Sequence, residues 1–404
     1  MAQTEKALSG YRVIDITQVE SGPTCTQALA WLGADVIKVE PPKHGDASRG
    51  SPTDEPGMPS PYFLEINSNK RSITLDLKTE KGVEVFLELV KQGDVVTENM
   101  ANGVLEKLGL GYDVLCAANP RIILGRIKGF GTWGPYSEYK CFDQIAQAAG
   151  GSYASTGEAD GPPTKLGLTL GDIGTGYHTA LGITAALLQR ERTGRGQTVE
   201  VSMQDAMINF SRTGLAWNSV IGSTSPWRRG DDCGDTPGRM YPCKPGGPDD
   251  YCYVYASDWV AGSWEGLLRG MGREDLIGDE RYDTDPKRRQ RQAEVDALVE
   301  EWTLQHTKYE VMNRLAPLGT LAGAVLNPTD LASDPHVAAR EMIQEVDHPE
   351  RGKYKLYASP IKLSDSPCEL EPPPLLGQHS EEVLKELLGY SDAQVQTLRG
   401  EGVI

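Results

Sequence analysis

The stretch Tyr11-Arg-Val-Ile-Asp-Ile-Thr-Gln-Val-Glu-Ser-Gly-Pro-Thr-Cys-Thr-Gln-Ala-Leu-Ala-Trp-Leu-Gly-Ala-Asp-Val-Ile-Lys-Val-Glu40 carries two apolar runs separated by one helix-length segment. Residues 12–15 read as a short buried strand, broken by Gly22-Pro23. Residues 26–32 read as a helix closed by Gly33, and residues 35–40 as a second strand stopped by Pro41-Pro42. A strand, a helix and a strand within thirty residues make a βαβ unit.

The alternation continues outward. Strands are expected at 72–76, 94–98 and 121–127, with helices over 81–91 and near 103–107, which places the chain in the α/β class. No complete Gly-x-Gly-x-x-Gly joins a strand to a helix, so a dinucleotide site is not supported. Residues 173–192 are small and apolar all round and read as a long buried helix. A turn at 193–197, a strand at 198–202 and a helix over 205–217 suited to a connecting arm follow. Residues 223–250 are rich in Gly, Pro and Asp, a longer loop than compact domains usually leave unstructured. Beyond it come a strand at 251–255, helical patterns at 259–271 and 288–305, and a mixed C-terminal segment.

The bulk numbers exclude several classes. The chain has 404 residues, enough for two or three domains, and its 39% hydrophobic and 24% charged content is that of a globular protein. A formal net charge of −17 argues against general nucleic-acid binding, which needs a basic surface. The first eight residues lack the apolar core of a secretory signal, and no apolar run reaches membrane-spanning length. Seven scattered cysteines with no Cys-x-x-Cys fit a reduced, cytoplasmic setting, and six equally scattered histidines give no metal-ligand spacing.

Two features can carry chemistry. Asp172 lies in Gly171-Asp-Ile-Gly-Thr-Gly176, directly before the long helix. It reads either as an N-cap or as a carboxylate nucleophile kept ionised by the helix N-terminus, with glycines 171, 174 and 176 leaving room for a bulky thioester. The second feature is basic: Lys70, Arg71 and Lys78 around a strand, Lys107 after a helical stretch, and Lys140 after a glycine-rich segment. Basic residues at strand ends are candidates for phosphate contacts.

Residues 13–42, 69–78, 97–107 and 160–195, together with Leu375-Leu-Gly-Gln-His379, resemble the class III (CaiB/BaiF-type) CoA-transferases over nearly the whole chain, and most of all their formyl-CoA:oxalate branch. The resemblance implies a Rossmann-like large domain built from both chain ends (1–202 and 328–404). It also implies a smaller α+β middle domain (228–310) hung on linkers at 203–227 and 311–327, and an interlocked homodimer. It implies coenzyme A, as acyl-CoA, and a carboxylic acid as the small-molecule partners, with no metal. Asp172 becomes the nucleophile, attacking the donor thioester to give a mixed anhydride and then an aspartyl-CoA thioester. The family's CoA contacts fall on Lys78, Asn99, Met100, Val104, Lys107 and Lys140.

Three departures bear on the substrate. The family's tetraglycine loop over the nucleophile is matched by residues 232–236, where Gly234 is the one glycine, so the loop 231–238 is a candidate lid. The glutamine expected beside the nucleophile falls on Glu20, with Gln18 two residues away. The tryptophan expected after the Gly-Asp-x-x-Arg-Gly motif is Ser51. A smaller residue at 51 leaves space for a bulkier acid than oxalate, and an ionised Glu20 disfavours a second carboxylate. The family's 2-methylacyl-CoA racemases need a second proton-exchanging group, and Phe142 stands where they carry histidine. The remaining alternatives are a non-catalytic acyl-CoA-binding protein on the same fold and acyl-CoA hydrolysis, should water reach the anhydride.

Overall fold

The computed structural model describes residues 5–219, 230 and 233–404. They divide into two compact units, one of residues 5–155, 164–219 and 341–404, the other of residues 156–163, 230 and 233–340.

The first unit is built on a six-stranded sheet: β1 (Arg12–Asp15), β2 (Asp35–Glu40), β3 (Arg71–Thr74), β4 (Val95–Glu98), β5 (Ile123–Lys128) and β6 (Thr198–Ser202). All neighbours are parallel and the order is β3-β2-β1-β4-β5-β6. This is the doubly wound order, in which the direction of winding reverses between β1 and β4. The two-residue period of a strand explains the layering. Val13, Val36, Val95 and Ile123 stand in register on one face, against Leu29, Ile183 and Leu187 of the helices Ser21–Trp31 and Leu170–Thr193. Ile14, Ile37, Val96 and Leu124 form the other face, against Phe86 and Leu89 of the helix Glu80–Gln92 and Val383 and Leu398 near the C-terminus. Both faces are covered, so the strands read as apolar runs rather than alternating ones.

The chain's far end closes the sheet edge at β3. His379 Nδ1 accepts from Ser72 N at 3.1 Å, His379 N donates to Ser72 O at 2.8 Å, and Asp76 N donates to Val403 O at 2.8 Å. A hairpin of β10 (Ile343–His348) and β11 (Gly352–Tyr357) packs Val346 and Leu356 on Phe63 and Leu64 in the same unit.

The second unit holds an antiparallel sheet of β7 (Gly238–Pro242), β8 (Tyr251–Tyr255) and β9 (Leu321–Ala324), with a core that includes Val254, Leu267, Val299, Val311 and Leu315.

Several element expectations are corrected. The first helix begins at Ser21, so Gly22-Pro23 lies inside its first turn; proline is tolerated there because its missing N–H has no helical acceptor. Residues 311–327 are not a bare linker. They include the end of the helix Lys308–Leu315, anchored by buried Val311 and Leu315, and β9, paired with β8. Within 223–250, residues 238–242 form β7; residues 220–229, 231 and 232 lie outside the described residues. Among the described residues no helix is long and apolar enough to cross a membrane.

Candidate active site

In a doubly wound sheet, ligands bind outside the carboxyl ends of the strands where the order reverses. Here that point is sealed by a reciprocal pair: Gln18 N donates to Asn99 Oδ1 at 2.9 Å, and Asn99 Nδ2 donates to Gln18 O at 2.7 Å. A cavity of about 500 Å³ opens beside it, with Gln18, Lys78, Met100 and Val104 in its wall. Its remaining lining is largely apolar and includes Ile16, Val39, Leu75, Leu77 and Leu108. Lys43 and His44 also line it and were not foreseen. They follow β2 directly after Pro41-Pro42, a strand-end position that flags them in retrospect.

The turn after β1 is held in an unusual shape. Val19 has φ of 68°, the left-handed region that costs a β-branched residue most. It is pinned from three directions: Val19 N donates to Asp46 Oδ1 at 3.0 Å, while Gln18 is held by Asn99 and Glu20 by two hydroxyls. Tyr62 donates to Glu20 Oε2 at 2.7 Å and Thr169 to Glu20 Oε1 at 2.5 Å. Thr169 is the residue that precedes the helix Leu170–Thr193, so Glu20 ties this turn to the segment that carries Asp172.

Asp172 lies in the first turn of that helix, not at its cap. The free N–H groups there are met by Asp143, whose Oδ1 accepts from Gly171 N at 2.8 Å and Asp172 N at 3.3 Å. Asp143 is 2% exposed and is itself steadied by Gln147 Nε2 at 2.6 Å. The expectation that the helix N-terminus keeps Asp172 ionised is therefore corrected. Burial, reinforced by the nearby carboxylates Glu20 and Asp143, pushes Asp172 up to about 7, against a hydrogen bond from Ser21. A carboxylate made this basic is a stronger nucleophile once ionised.

The glycines beside Asp172 serve packing rather than substrate access. A Cβ at Gly171 would stand 2.9 Å from the Asp143 carboxylate, one at Gly174 2.4 Å from the Phe210 ring, and one at Gly176 2.7 Å from Ser21 O. The helix that carries Asp172 thus sits tight against three neighbours.

The other candidates are dispersed. Lys107 and Lys140 are exposed and outside the cavity lining. Lys70 and Arg71 are not phosphate contacts: buried Lys70 binds Asp15 at 3.2 Å and Asn67, and Arg71 is paired with Asp35, Glu382 and Glu386. Phe142 is 70% exposed, directly before the helix Asp143–Ala149. Ser51 is half-buried at the end of the short turn Ala47–Gly50, whose cap, Asp46, is the residue that holds Val19. Gly234 belongs to the second unit, where its carbonyl accepts from Arg289. Of the candidate lid, residues 231 and 232 lie outside the described residues. Among the described residues no cluster of three or more His, Cys, Asp or Glu side chains forms a metal site.

Comparison with known proteins identifies the family. The family model for CoA-transferase family III matches residues 8–380. A formyl-CoA:oxalate CoA-transferase of Streptomyces coelicolor is 43% identical over 99% of this chain and 100% of its own length. One from Rhodopseudomonas palustris is 43% identical over 99% of this chain and 97% of its own. Among solved structures, a CaiB/BaiF family protein from Brucella suis is 34% identical, covering 95% of this chain and 100% of that one, with a TM-score of 0.84. These matches place the chain: it belongs to CoA-transferase family III.

Proposed function

We propose that this CoA-transferase moves coenzyme A from an acyl-CoA to a free carboxylic acid through covalent intermediates on Asp172. The observation that carries the reading is that Asp143 takes the helix N–H groups and leaves the Asp172 carboxylate uncapped, next to the turn that lines the cavity. Asp172 attacks the donor carbonyl, breaking the C–S bond to give a mixed anhydride and CoA thiolate. The thiolate attacks the aspartyl carbonyl and releases the donor acid as carboxylate. The acceptor carboxylate then attacks the aspartyl thioester, forming a second anhydride and thiolate. Thiolate attack on the acceptor acyl carbon gives the new acyl-CoA and regenerates Asp172. In this reading Lys78, Asn99, Met100 and Val104 hold the CoA, with Lys107 and Lys140 reaching its phosphates, while Gln18 and Glu20 belong with Asp172 to the catalytic set.

The relatives named for formyl-CoA and oxalate make that pair the reference. Glu20, fixed by Tyr62 and Thr169 beside Asp172 and Asp143, makes the centre rich in negative charge. That supports an acceptor with one carboxylate, and Ser51 supports one bulkier than oxalate. The reading also takes two copies as interlocked, which the 72%, 70% and 62% exposure of Leu168, Leu181 and Leu188 favours, and a reducing cytoplasm, in line with seven free cysteines.

Hydroxylamine added during turnover tests the covalent step. Mass spectrometry should find a hydroxamate on Asp172, and trapping at another carboxylate overturns the assignment. A panel of acids offered with several acyl-CoAs tests the acceptor; oxalate as the best acceptor rejects the bulkier-acid reading.

A further inference from the structure

A second cavity, of about 400 Å³, lies in the first unit, and Arg49, Ser60, Phe63, His348 and Leu376 are among its lining. Two features make it more than a surface hollow. The first is His348, which is 1% exposed. Its Nδ1 accepts from the backbone N–H of Glu350 and Arg351, both at 3.2 Å, so Nε2 carries the proton; yet Nε2 is buried and has no hydrogen-bond partner. A buried donor left unpaired is costly, and the group that relieves it must bring an acceptor. The second is Arg49, held over the Phe63 ring at 3.7 Å, which gives Nε and Nη2 to Glu40 and leaves Nη1 without a hydrogen bond among the described residues.

The wall of this cavity is shared. Glu40, which receives both Arg49 bonds at 2.7 and 2.8 Å, lines the larger strand-end cavity. It also accepts from Asp46 N at 2.9 Å, and Asp46 in turn holds Val19. Arg49 and Glu40 thus form a partition between the two cavities, joined by hydrogen bonds to the turn that presents Gln18 and Glu20.

We propose that the second cavity is an effector site for a small monocarboxylate with an apolar tail. One oxygen accepts from His348 Nε2–H and the other from Arg49 Nη1–H, while the tail lies against Met58, Leu64 and Leu376. Glu350 sits at the exposed rim, where solvent screens its charge. An anion that draws on Arg49 competes with Glu40 for it, so occupancy changes the affinity of the strand-end cavity for CoA. The same coupling must act in reverse. The binding claim stands apart from the transfer reading; only its purpose, sensing the acids that such an enzyme consumes and releases, rests on it.

Butyrate serves as the probe, titrated into the full-length protein with ¹⁵N-labelled histidine. The His348 ring signals should shift with saturation, and the CoA dissociation constant should change at least threefold when butyrate is present. His348→Asn keeps an acceptor near the Nδ1 position and removes the Nε2 donor; it should weaken butyrate about tenfold with the fold intact by thermal melt. Leu376→Trp, which fills the cavity, should abolish both effects. Asp172→Asn should leave the His348 shift in place, separating this site from the reaction centre. Unshifted His348 signals, butyrate affinity unchanged in both cavity variants, or a crystal grown with butyrate that shows only ordered water on His348 overturns the proposal.

Discussion

Asp143 accepts hydrogen bonds from the backbone of Gly171 and from Asp172 itself, at 2.8 and 3.3 Å, while adding its negative charge to the surroundings of the Asp172 side chain. One buried acid therefore does two things to another. It takes up the favourable N-terminal end of the helix, and it raises the proton affinity of the carboxylate that begins there. Together with burial and Glu20, this brings Asp172 to about 7.

A pH profile follows from that relationship. In the proposed mechanism Asp172 is ionised when it attacks the thioester, so kcat/KM should rise with pH on an acid limb centred near 7. Asp143→Asn keeps an oxygen for the two N–H groups but removes the charge, so the limb should move toward lower pH. A limb that stays in place would show that Asp143 does not tune Asp172.

Stability should run opposite to activity. The folded state binds the Asp172 proton more tightly than the unfolded chain, whose carboxylate titrates near the ordinary 3.8. The contribution of Asp172 is thus fully present below about 4 and is lost as pH rises through about 7. Asp172→Asn should be more stable than the parent at pH 8, by about 2 kcal/mol once partial exposure is discounted. The advantage should vanish near pH 4. Urea melts at both pH values read this directly.

How much of this was legible in the sequence differs from part to part. The sheet was, because strands buried on both faces show consecutive apolar residues, such as Val95-Val96 and Ile123-Leu124, flanked by helix-length segments. That Lys78, Met100 and Val104 share one cavity was expected from family resemblance, not from spacing. The partnership of Asp143 with Gly171 was not, since it joins residues 28 apart through a side chain whose role depends on how two helices meet. Lys70 misled for a related reason. Its compensation comes from Asp15, 55 residues away, and nothing local marks a lysine as buried.

That buried cluster makes its own prediction. Asp15, Lys38, Asp46 and Lys70 form alternating ion pairs, with Lys38 at 2.7 Å from Asp46 and Lys70 at 3.2 Å from Asp15, all close to inaccessible. Lys38, Lys70 and two threonine hydroxyls hold Asp15 down at about 2 despite burial. Asp15→Ala would leave two buried ammonium groups sharing one carboxylate and should cost about 3–5 kcal/mol. The parent should lose this contribution only as pH falls from about 4 through about 2. Denaturant midpoints of the two proteins at pH 7 measure the difference.

Val19 gives the last test, because two opposing terms can be compared. A side chain in the left-handed region costs roughly 1–2 kcal/mol, more for a β-branched residue, whereas glycine there loses about 0.5–1 kcal/mol in chain entropy on folding. With φ at 68° and only partial burial, the strain outweighs the entropy, so Val19→Gly should stabilise the protein by up to about 1 kcal/mol. The same change frees the turn that sets Gln18 and Glu20, and transfer should slow severalfold while the melting temperature rises. Residues in sparsely populated backbone regions persist when neighbours over-determine them. Here those neighbours are Asn99, Asp46, Tyr62 and Thr169. If Val19→Gly melts lower than the parent, the turn is not strained. If it melts higher with unchanged kcat, the left-handed residue has no part in positioning Glu20.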